Sequence, residues 1–442
     1  MDRVNQASAA TAIEYLIIGG GLAGAMAAEA IRERGGGGRV VVVTDDHERP
    51  YHRPPLSKEY LRGDQERKDV FVHPPEWHNE QGVELMTQIR ATSLDPKLHQ
   101  VTLDDGRTLH YKKLLLATGG TPRQLEIPGA ELDGVHYLRW LDDSDALRGA
   151  AAKAKHAAVI GGSFIGVEVA AALAHYKVDT TVIVKGKTIW ESFMPEHLAM
   201  FFQQTLADHG VKFLTKDEAV RILPQSGSMR AGMVATKKGH TVGGDLIVAG
   251  VGIHLNRDLV DAAGLKTDKK TRGVTVNEYL QTSDPDIYAA GDIAAFPDPV
   301  FGTRRVEHWD TALTQGKTAG ANMAGAHEPY DHVQYYFSDL FDLGIEVLGN
   351  PQPDAHIIVR GKMEDRTFAA LYLDGSRDVV IGALAVNRPP EELDQYRVLI
   401  RQKASLRGFL REAEQHPDED LTGLVPDLDA ANQMMEAGEQ AQ

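Results

Sequence analysis

Hydrophobic and polar residues repeat one strand–turn–helix–strand pattern twice along this chain. In the first copy, the apolar run 15–18 leads into a glycine-rich turn, an alanine-rich stretch to Arg34, and the valine run 40–43. β-Branched runs favour strands and alanine favours helix, so this segment predicts a βαβ unit. The second copy has the run 157–160, another glycine turn, an alanine-rich stretch to about Tyr176 and the run 180–184. The repeat predicts two units of the same type.

Alternating and apolar runs elsewhere predict the rest of the secondary structure. Two hairpins are predicted, 101–103 with 109–111 around Asp105-Gly106, and 368–372 with 379–386 around Asp374-Gly375. Residues 114–116 read as a buried strand, and 245–252 and 287–292 as strand-to-turn endings. Apolar residues at helical spacing predict helix within 389–411. After about Asp331 the pattern of apolar runs changes to hairpin-forming strands, which predicts a separate β-rich domain there.

The first glycine turn carries a dinucleotide-binding pattern. Gly19-x-Gly21-x-x-Gly24 lies between the predicted strand and helix, where glycines allow a tight turn and close approach to a diphosphate. An acid about 20 residues further on would accept a ribose hydroxyl, and Asp45 and Asp46 are in that place. The alternative is an ordinary strand–helix turn, which the complete set of features disfavours.

The second glycine turn is Gly161-x-Ser163-x-x-Gly166, with serine in the middle position. Its second strand ends in Lys185-Gly186-Lys187 and not in an acid. A cation there would meet a 2′-phosphate and favour NADPH over NADH. Two solvated surface lysines explain the same residues equally well, so the choice of coenzyme stays open.

Between these units, residues 50–58 form a proline-rich segment that includes Arg53, Ser57 and Lys58. Its prolines keep the backbone extended, and Ser57 could cap a following helix. Arg53 and Lys58 would then be held in place for anion contacts. A rigid exposed loop is the equally weighted alternative.

Composition narrows the chemistry. The 442 residues include no cysteine, which excludes a disulfide framework, a redox-active Cys pair, a Cys nucleophile and cysteine-ligated zinc or iron–sulfur sites. The 18 histidines show no HExxH pattern, so no metal is expected. The net charge of −16 argues against nonspecific nucleic-acid binding and against a basic membrane-binding patch. Seven of the acids lie within 415–442, a segment expected to be a flexible tail, which leaves −16 − (−7) = −9 for the remainder.

No signal peptide or membrane span is predicted. Residues 1–12 are polar and small, without the apolar stretch of a signal peptide, and the longest apolar runs are too short for a bilayer. We therefore expect a cytoplasmic protein.

Taken together, the motifs resemble the FAD-dependent pyridine nucleotide-disulfide oxidoreductase superfamily. Two further motifs lie between the fingerprints: Arg53-Pro54-Pro55-Leu56-Ser57-Lys58 and Ala117-Thr118-Gly119-Gly120. Two more follow the second fingerprint: Tyr288-Ala289-Ala290-Gly291-Asp292 and Arg305-Val306-Glu307-His308-Trp309-Asp310. Apoptosis-inducing factor, monodehydroascorbate reductase and the ferredoxin reductases of oxygenase systems are the most similar members. The resemblance covers residues 13 to about 406.

The resemblance implies an α/β fold of glutathione-reductase-like architecture, with two Rossmann-like domains and a C-terminal α+β domain. The implied boundaries are 12–121 with 254–333 for FAD, 122–253 for NAD(P), 334–414 for the C-terminal domain and 415–442 for the tail.

Site residues also follow from the resemblance. The catalytic pair would be Lys58, beside the flavin, and Glu168, which would pair with that lysine and orient the nicotinamide carboxamide. The FAD-binding residues would be Gly19, Gly20, Gly21, Leu22, Ala23, Gly24, Asp45, Asp46, Arg53, Lys58, Ala91, Arg139, Asp292, His308, Trp309 and Phe337. Glu307 would also bind a cofactor. The nicotinamide-coenzyme residues would be Gly162, Ser163, Phe164, Ile165, Glu168, Lys185, Lys187 and Gly252.

The implied function is an NAD(P)H oxidoreductase that passes electrons through FAD to an external acceptor. The acceptor would be a ferredoxin-like protein, a quinone or a monodehydroascorbate-like radical. The alternative is an NAD(H)-controlled flavoprotein similar to apoptosis-inducing factor, in which a slowly oxidising charge-transfer complex regulates dimerisation or partner binding. A homodimer is compatible with both. Without cysteines, a glutathione-reductase-like mechanism is excluded. An acid commonly lies at the position of Lys187 in NADH-using relatives, which leaves the coenzyme open.

Overall fold

The fold contains two sheets with parallel strands, and in each sheet one of these strands is followed by a glycine-rich turn. The structure is a computed structural model that describes residues 13–375, 378–407, 410–416 and 421. The strands are β1 (Ile13–Ile18), β2 (Val40–Val43), β3 (Val83–Met86), β4 (Ala91–Asp95), β5 (Gln100–Leu103), β6 (Thr108–Leu116), β7 (Gly120–Pro122), β8 (Val135–His136), β9 (His156–Ile160), β10 (Asp179–Val184), β11 (Lys212–Thr215), β12 (Ala219–Pro224), β13 (Ala231–Thr236), β14 (Thr241–Gly243), β15 (Leu246–Ala249), β16 (Ile253–Leu255), β17 (Val274–Thr275), β18 (Ile287–Ala289), β19 (Ala294–Asp298), β20 (Gly302–Arg304), β21 (Tyr335–Leu340), β22 (Leu343–Gly349), β23 (His356–Lys362), β24 (Thr367–Leu373) and β25 (Val380–Val386).

The helices lie between these strands along the chain. They are α1 (Leu22–Glu33), α2 (Glu59–Arg62), α3 (Trp77–Glu80), α4 (Leu141–Ala151), α5 (Phe164–His175), α6 (Glu196–Asp208), α7 (Asp258–Ala262), α8 (Trp309–Met323), α9 (Pro390–Arg401) and α10 (Leu410–Gln415). Short 3-10 turns span Pro54–Ser57, Arg67–Val70 and Gly291–Ile293. Among the residues placed by the structure, no helix combines the length and apolar character needed to cross a bilayer.

The described residues divide into two compact units. The first contains the described residues up to His52 together with Arg67–Thr121 and Ile253–His332. The second contains Arg53–Glu66, Pro122–Gly252 and the described residues from Val333 onward.

The first unit is built on a sheet in the order β3-β2-β1-β6-β5-β4, with β18 also paired to β6. Strands β3, β2, β1, β6 and β18 run parallel, as βαβ crossovers require. The predicted hairpin around Asp105-Gly106 is β5 and the first half of β6. The second half of β6 is the predicted buried strand, and its three leucines are fully buried.

The second unit contains the second repeat and the C-terminal β-rich domain. Its parallel sheet has the order β11-β10-β9-β15-β8. A second, antiparallel sheet has the order β21-β22-β25-β24-β23, and the predicted hairpin around Asp374-Gly375 is β24 with β25. The two βαβ repeats, the two hairpins and the mixed α/β fold class predicted from the sequence are confirmed.

The helix predicted within 389–411 is not continuous. Helix α9 ends at Arg401, where Ala404 N–H donates to Leu399 O at 2.9 Å and Lys403 takes a left-handed φ of 52°. The chain then turns back, so that Ser405 forms a bridge with Val379 before α10 begins. Side-chain spacing alone could not show this break. Of the acidic segment 415–442, all but residues 415, 416 and 421 lie outside the described residues.

Candidate functional site

The first glycine turn forms an open cradle in front of helix α1. Gly19 has a left-handed φ of 122°, and a Cβ there would lie 2.2 Å from Ala117 O. A Cβ on Gly24 would lie 2.1 Å from Gly19 O, so both positions need glycine. At Gly21, by contrast, an added Cβ would have no atom of a described residue within 4 Å, and no side chain of those residues caps α1. The predicted residues Leu22 and Ala23 open this helix. Free first-turn amides facing open space fit an FAD diphosphate.

Helix α8 packs closely against α1, and the turn that contains Gly291 lies beside both helices. A Cβ on Gly316 would lie 2.5 Å from Ala23 O, so only glycine permits this approach. A Cβ added to Gly291 would lie 3.3 Å from Ala23 Cβ, so this turn lies close to the same helix turn. Gln315 Oε1 accepts from Gly291 N–H at 2.9 Å. The fold therefore brings Asp292, the residue after Gly291, to the first fingerprint.

The segment before α8 is tied to the same region. Arg305 donates to Asp292 O at 3.0 Å and to Glu307 Oε1 at 2.6 Å. His308 is the residue before α8, and Trp309 Nε1 donates to His52 Nδ1 at 3.0 Å. These contacts gather the predicted FAD residues of the second half of the first unit around one helix start.

The two predicted ribose acids already have partners within the first unit. Asp45 accepts from Arg90 at 2.7 Å, and Asp46 accepts from the Tyr51 hydroxyl at 2.9 Å. Ala91, another predicted FAD residue, directly follows Arg90 and opens β4, so it lies next to the partner of Asp45. Gly20 packs on Thr44, just before the acids, and an added Cβ would meet Thr44 Cβ at 2.6 Å.

The second glycine turn repeats the geometry of the first. Gly161 has a φ of 121°, and a Cβ there would lie 2.3 Å from Gly250 O. Ser163 precedes α5, and its hydroxyl donates to Gly250 O at 3.3 Å. Phe164 opens α5 and stacks on Phe193 with ring centroids 5.3 Å apart.

Neighbouring predicted coenzyme residues surround that turn in the second unit. Ile165 is 37% exposed, which is unusual for an apolar residue beside a glycine turn. A Cβ on Gly162 would lie 2.9 Å from Val184 Cγ1, so that glycine is required by packing on β10. Gly252 has a φ of 93° and accepts from Arg123 N–H at 2.9 Å.

The lysines after β10 each face a carboxylate. Lys185 Nζ lies 2.9 Å from Glu218 Oε1, and Lys187 Nζ lies 3.9 Å from Glu196 Oε2. Glu191 Oε2 also accepts from Lys187 N–H at 3.3 Å. The two cations predicted for a 2′-phosphate therefore each face one acid, and Glu191 binds the backbone of Lys187 beside them.

Lys58 is a buried cation in the second unit. It follows the 3-10 turn Pro54–Ser57, and its side chain is only 3% exposed. Its ammonium lies 2.6 Å from Asp339 Oδ2 and 4.5 Å from the centre of the Phe337 ring. Phe337 and Asp339 are on the same side of β21, because side chains alternate along a strand.

Glu168 is buried beside this cation and is held by two hydroxyls. Ser57 donates to its Oε2 at 2.5 Å, and Ser338 donates to its Oε1 at 2.7 Å. Burial raises the pKa of the Glu168 carboxyl, while the charge of Lys58 and the two serine hydroxyls act in the opposite direction. A buried acid with two fixed donors is a typical feature of a reaction site.

The cluster bears on two expectations. Among the described residues, the direct ion pair of Lys58 is with Asp339, while Glu168 accepts hydrogen bonds from the two serines. The lysine charge still acts to lower the pKa of its expected partner Glu168. The expectation that Ser57 caps helix α2 is wrong. Lys58 precedes that helix without a side-chain cap, and the serine hydroxyl is directed to Pro54 O and Glu168.

The remaining predicted FAD residues of the second unit lie on neighbouring segments. The Arg53 guanidinium is 5.4 Å from the ring centre of Trp140, the residue after Arg139. Arg139 N–H donates to Asp143 Oδ2 at 2.9 Å, which fixes the start of α4. The structure therefore brings the Arg53 side chain to the segment that carries Arg139.

Sequence reasoning missed four residues of this unit: Ser57 and Ser338 as ligands of Glu168, Asp339 as the partner of Lys58, and Trp190. Trp190 has a left-handed φ of 55°, is 2% exposed, and donates its backbone N–H to Gly162 O at 2.9 Å. Lys58 and Asp339 are 281 positions apart in the sequence, and Glu168 and Ser338 are 170 positions apart. No local sequence pattern could therefore have predicted these contacts.

Comparison with known proteins identifies the family. Residues 13–316 match the family described as pyridine nucleotide-disulphide oxidoreductase, and residues 335–421 match a reductase C-terminal domain. The chain belongs to the pyridine nucleotide-disulphide oxidoreductase family. It is an NAD(P)H-dependent flavoprotein reductase with FAD as cofactor, as the sequence predicted.

Relatives and a solved structure agree with this membership. Putidaredoxin reductase of Pseudomonas putida is 31% identical, covering 85% of this chain and 89% of that protein. The ferredoxin–NAD(+) reductase component of the anthranilate 1,2-dioxygenase system of Burkholderia cepacia is 33% identical, covering 84% and 90%. A crystal structure of a covalent putidaredoxin reductase–putidaredoxin complex matches with a TM-score of 0.84 at 30% identity, covering 92% of this chain and 99% of the other.

Proposed function

We propose that this enzyme takes electrons from NADH and delivers them to a small iron–sulfur protein of the ferredoxin type. The proposal is supported by the likeness of nearly the whole chain to two reductases whose names specify such a partner or its coenzyme. The absence of cysteine supports it independently, because no internal disulfide can receive the electrons. Bound FAD accepts two electrons as a hydride and can release them singly, which suits a one-electron protein acceptor.

The predicted binding residues keep the roles that the sequence assigned to them. Residues 12–121 with 254–333 would bind FAD, 122–253 would bind the coenzyme, and 334–414 would supply Phe337. The first-turn amides of α1 would hold the diphosphate at Gly21, where the backbone leaves open space. Asp45 or Asp46 would meet the ribose, while Asp292 and Trp309 would lie toward the flavin.

Lys58 and Glu168 would act at the point of hydride transfer. An ammonium has three N–H donors, and Lys58 uses one of them on Asp339, so two remain for a hydrogen-bond acceptor on the cofactor. Its charge would favour the arrival of negative charge there, because a buried cation acts strongly in a low dielectric. Glu168, fixed by two hydroxyls, would orient the carboxamide of the coenzyme.

The coenzyme is proposed to be NADH. Lys185 and Lys187 face Glu218, Glu196 and Glu191, so a 2′-phosphate would meet three acids along with the two lysines. The wild-type enzyme should therefore have the higher kcat/KM with NADH.

Glu218→Gln should raise kcat/KM for NADPH about two- to fivefold, because it frees an exposed lysine from a pair worth up to about 1 kcal/mol. Kinetics with both coenzymes measure this, and Glu131→Gln, an acid remote from this turn in sequence, is the matched control. A wild-type preference for NADPH, or an unchanged ratio in the Glu218 variant, contradicts the coenzyme assignment.

An acceptor panel tests the proposed function. Purified holoprotein is reduced with NADH and mixed with each small iron–sulfur ferredoxin of the source organism, with menadione, and with enzymatically generated monodehydroascorbate. We expect fastest turnover with one ferredoxin. A faster quinone or radical reaction overturns the ferredoxin assignment. The alternative switch function is supported if the reduced complex persists in air for many minutes with every acceptor and if its particle size changes. The size measurement would also reveal a homodimer.

We also propose a cytoplasmic location, because the nicotinamide coenzymes that the enzyme consumes are available there. Cell fractionation followed by immunodetection tests this placement, and recovery of the protein outside the cytoplasmic fraction contradicts it.

A further inference from the structure

Strand β21 supplies three consecutive residues to the Lys58–Glu168 cluster. Phe337 and Asp339 meet the Lys58 ammonium, at 4.5 Å from the ring centre and 2.6 Å from Oδ2. Ser338, which points to the opposite side, donates to Glu168 Oε1 at 2.7 Å. One strand therefore contacts both members of the predicted catalytic pair, although none of these three contacts is local in sequence.

The two titratable groups of the cluster are held in different ways. Glu168 has a hydroxyl on each oxygen, so its geometry does not depend on the lysine. Among the described residues, Asp339 is the hydrogen-bond acceptor of the Lys58 ammonium, and the Phe337 ring face lies beside it. Because a charge-assisted hydrogen bond fixes an ammonium more closely than a nearby charge without one, Asp339 holds Lys58 in its position.

We infer that Asp339 is a positioning residue, which holds the Lys58 ammonium with two N–H groups free and sets the net charge at the reaction site. This inference rests on the proposed role of Lys58 at the flavin. In this proposal Asp339 acts through Lys58 and contacts neither the coenzyme nor the flavin. Its side chain is 48% exposed, so its removal does not open a cavity in the core.

Charge counting gives the direction of the effect. Lys58 contributes +1 and Asp339 −1, so this pair is neutral, and Asp339→Asn makes the site one unit more positive than in the wild type. The extra positive charge stabilises the negative charge that accompanies reduction of the flavin. The equilibrium with NADH should move toward reduced flavin by about tenfold, which is about 30 mV in a two-electron midpoint potential.

Geometry and charge can be separated with three substitutions. Asp339→Asn keeps an oxygen acceptor for Lys58 but removes the charge, so the potential should rise. Asp339→Ala removes both, so Lys58 loses its anchor and the flavin should be reduced more slowly at saturating NADH, with little change in KM. Asp339→Glu restores the charge and should return the potential toward that of the wild type. Asp354→Asn, an exposed acid of the same unit, is the control.

The experiment measures midpoint potential, the rate of flavin reduction at saturating NADH, KM and FAD content for holoproteins, with Lys58→Ala beside them. Potential and rate should move in the Asp339 variants while FAD content stays near that of the wild type. If Lys58→Ala changes both quantities and the Asp339 variants change neither, the inference about Asp339 is wrong on its own. If Lys58→Ala also changes neither, the proposed role of Lys58 fails. A lower melting temperature with unchanged potential means a merely structural role and overturns the inference.

Discussion

Lys58→Ala should slow the reduction of bound flavin by NADH about 10²- to 10³-fold, the cost typical of removing one preorganised group from a reaction site. The lysine is 3% exposed, its ammonium is fixed by Asp339 and the Phe337 ring, and two of its donors are uncommitted. FAD should remain bound, because the open cradle at Gly21 belongs to a different segment of the chain. Stopped-flow absorbance under anaerobic conditions measures the rate.

Two further variants control this prediction. Lys58→Arg keeps the positive charge and should recover part of the rate, although a planar guanidinium cannot reproduce the ammonium geometry. Lys153→Ala removes an exposed lysine of the same unit and should have no effect. A Lys58→Ala enzyme that reduces its flavin at the wild-type rate would exclude this residue from the reaction site.

Gly21→Val should abolish most FAD binding without unfolding the protein. The backbone of Gly21, with φ −77° and ψ −175°, suits any residue, and an added Cβ meets no atom of a described residue within 4 Å. The larger side chain would occupy the space in front of α1 where the diphosphate is proposed to bind. Overpacking of this kind typically costs about 1–3 kcal/mol, so affinity should fall by about 5- to 150-fold.

Gly24→Val provides the matched contrast. Its Cβ would lie 2.1 Å from Gly19 O, so this variant should fail to fold whether or not FAD is present. Circular dichroism and FAD reconstitution of the apoprotein distinguish the two outcomes. If the Gly21 variant binds FAD with unchanged affinity, the diphosphate is not in front of α1.

The sequence was most informative where the signal is local. Each βαβ repeat combines a β-branched run, a glycine turn and an alanine-rich helix, so strand, turn and helix are encoded within about 30 residues. The hairpins around Asp105-Gly106 and Asp374-Gly375 are likewise encoded by their turns. The break between α9 and α10 was missed, since it arises when Ser405 returns to Val379.

The site was predictable only in part for the same physical reason. Lys58 and Glu168 were identified through the family resemblance, but their partners lie in strand β21 and in the 3-10 turn before α2. The sequence gives no sign that Ser57 faces Glu168 instead of capping a helix, because both are ordinary uses of a serine hydroxyl. Contacts between segments more than 100 positions apart depend on the complete fold.

The central claim is that NADH reduces the bound flavin at a cluster organised by Lys58 and Glu168. Anaerobic mixing of wild-type holoprotein with one equivalent of NADH, followed by the visible flavin absorbance in a stopped-flow instrument, tests it most directly. We expect complete bleaching within seconds, and a much slower change in Lys58→Ala that contains the same amount of FAD. Failure of NADH and NADPH to bleach the wild-type flavin, with FAD fully bound, would contradict it.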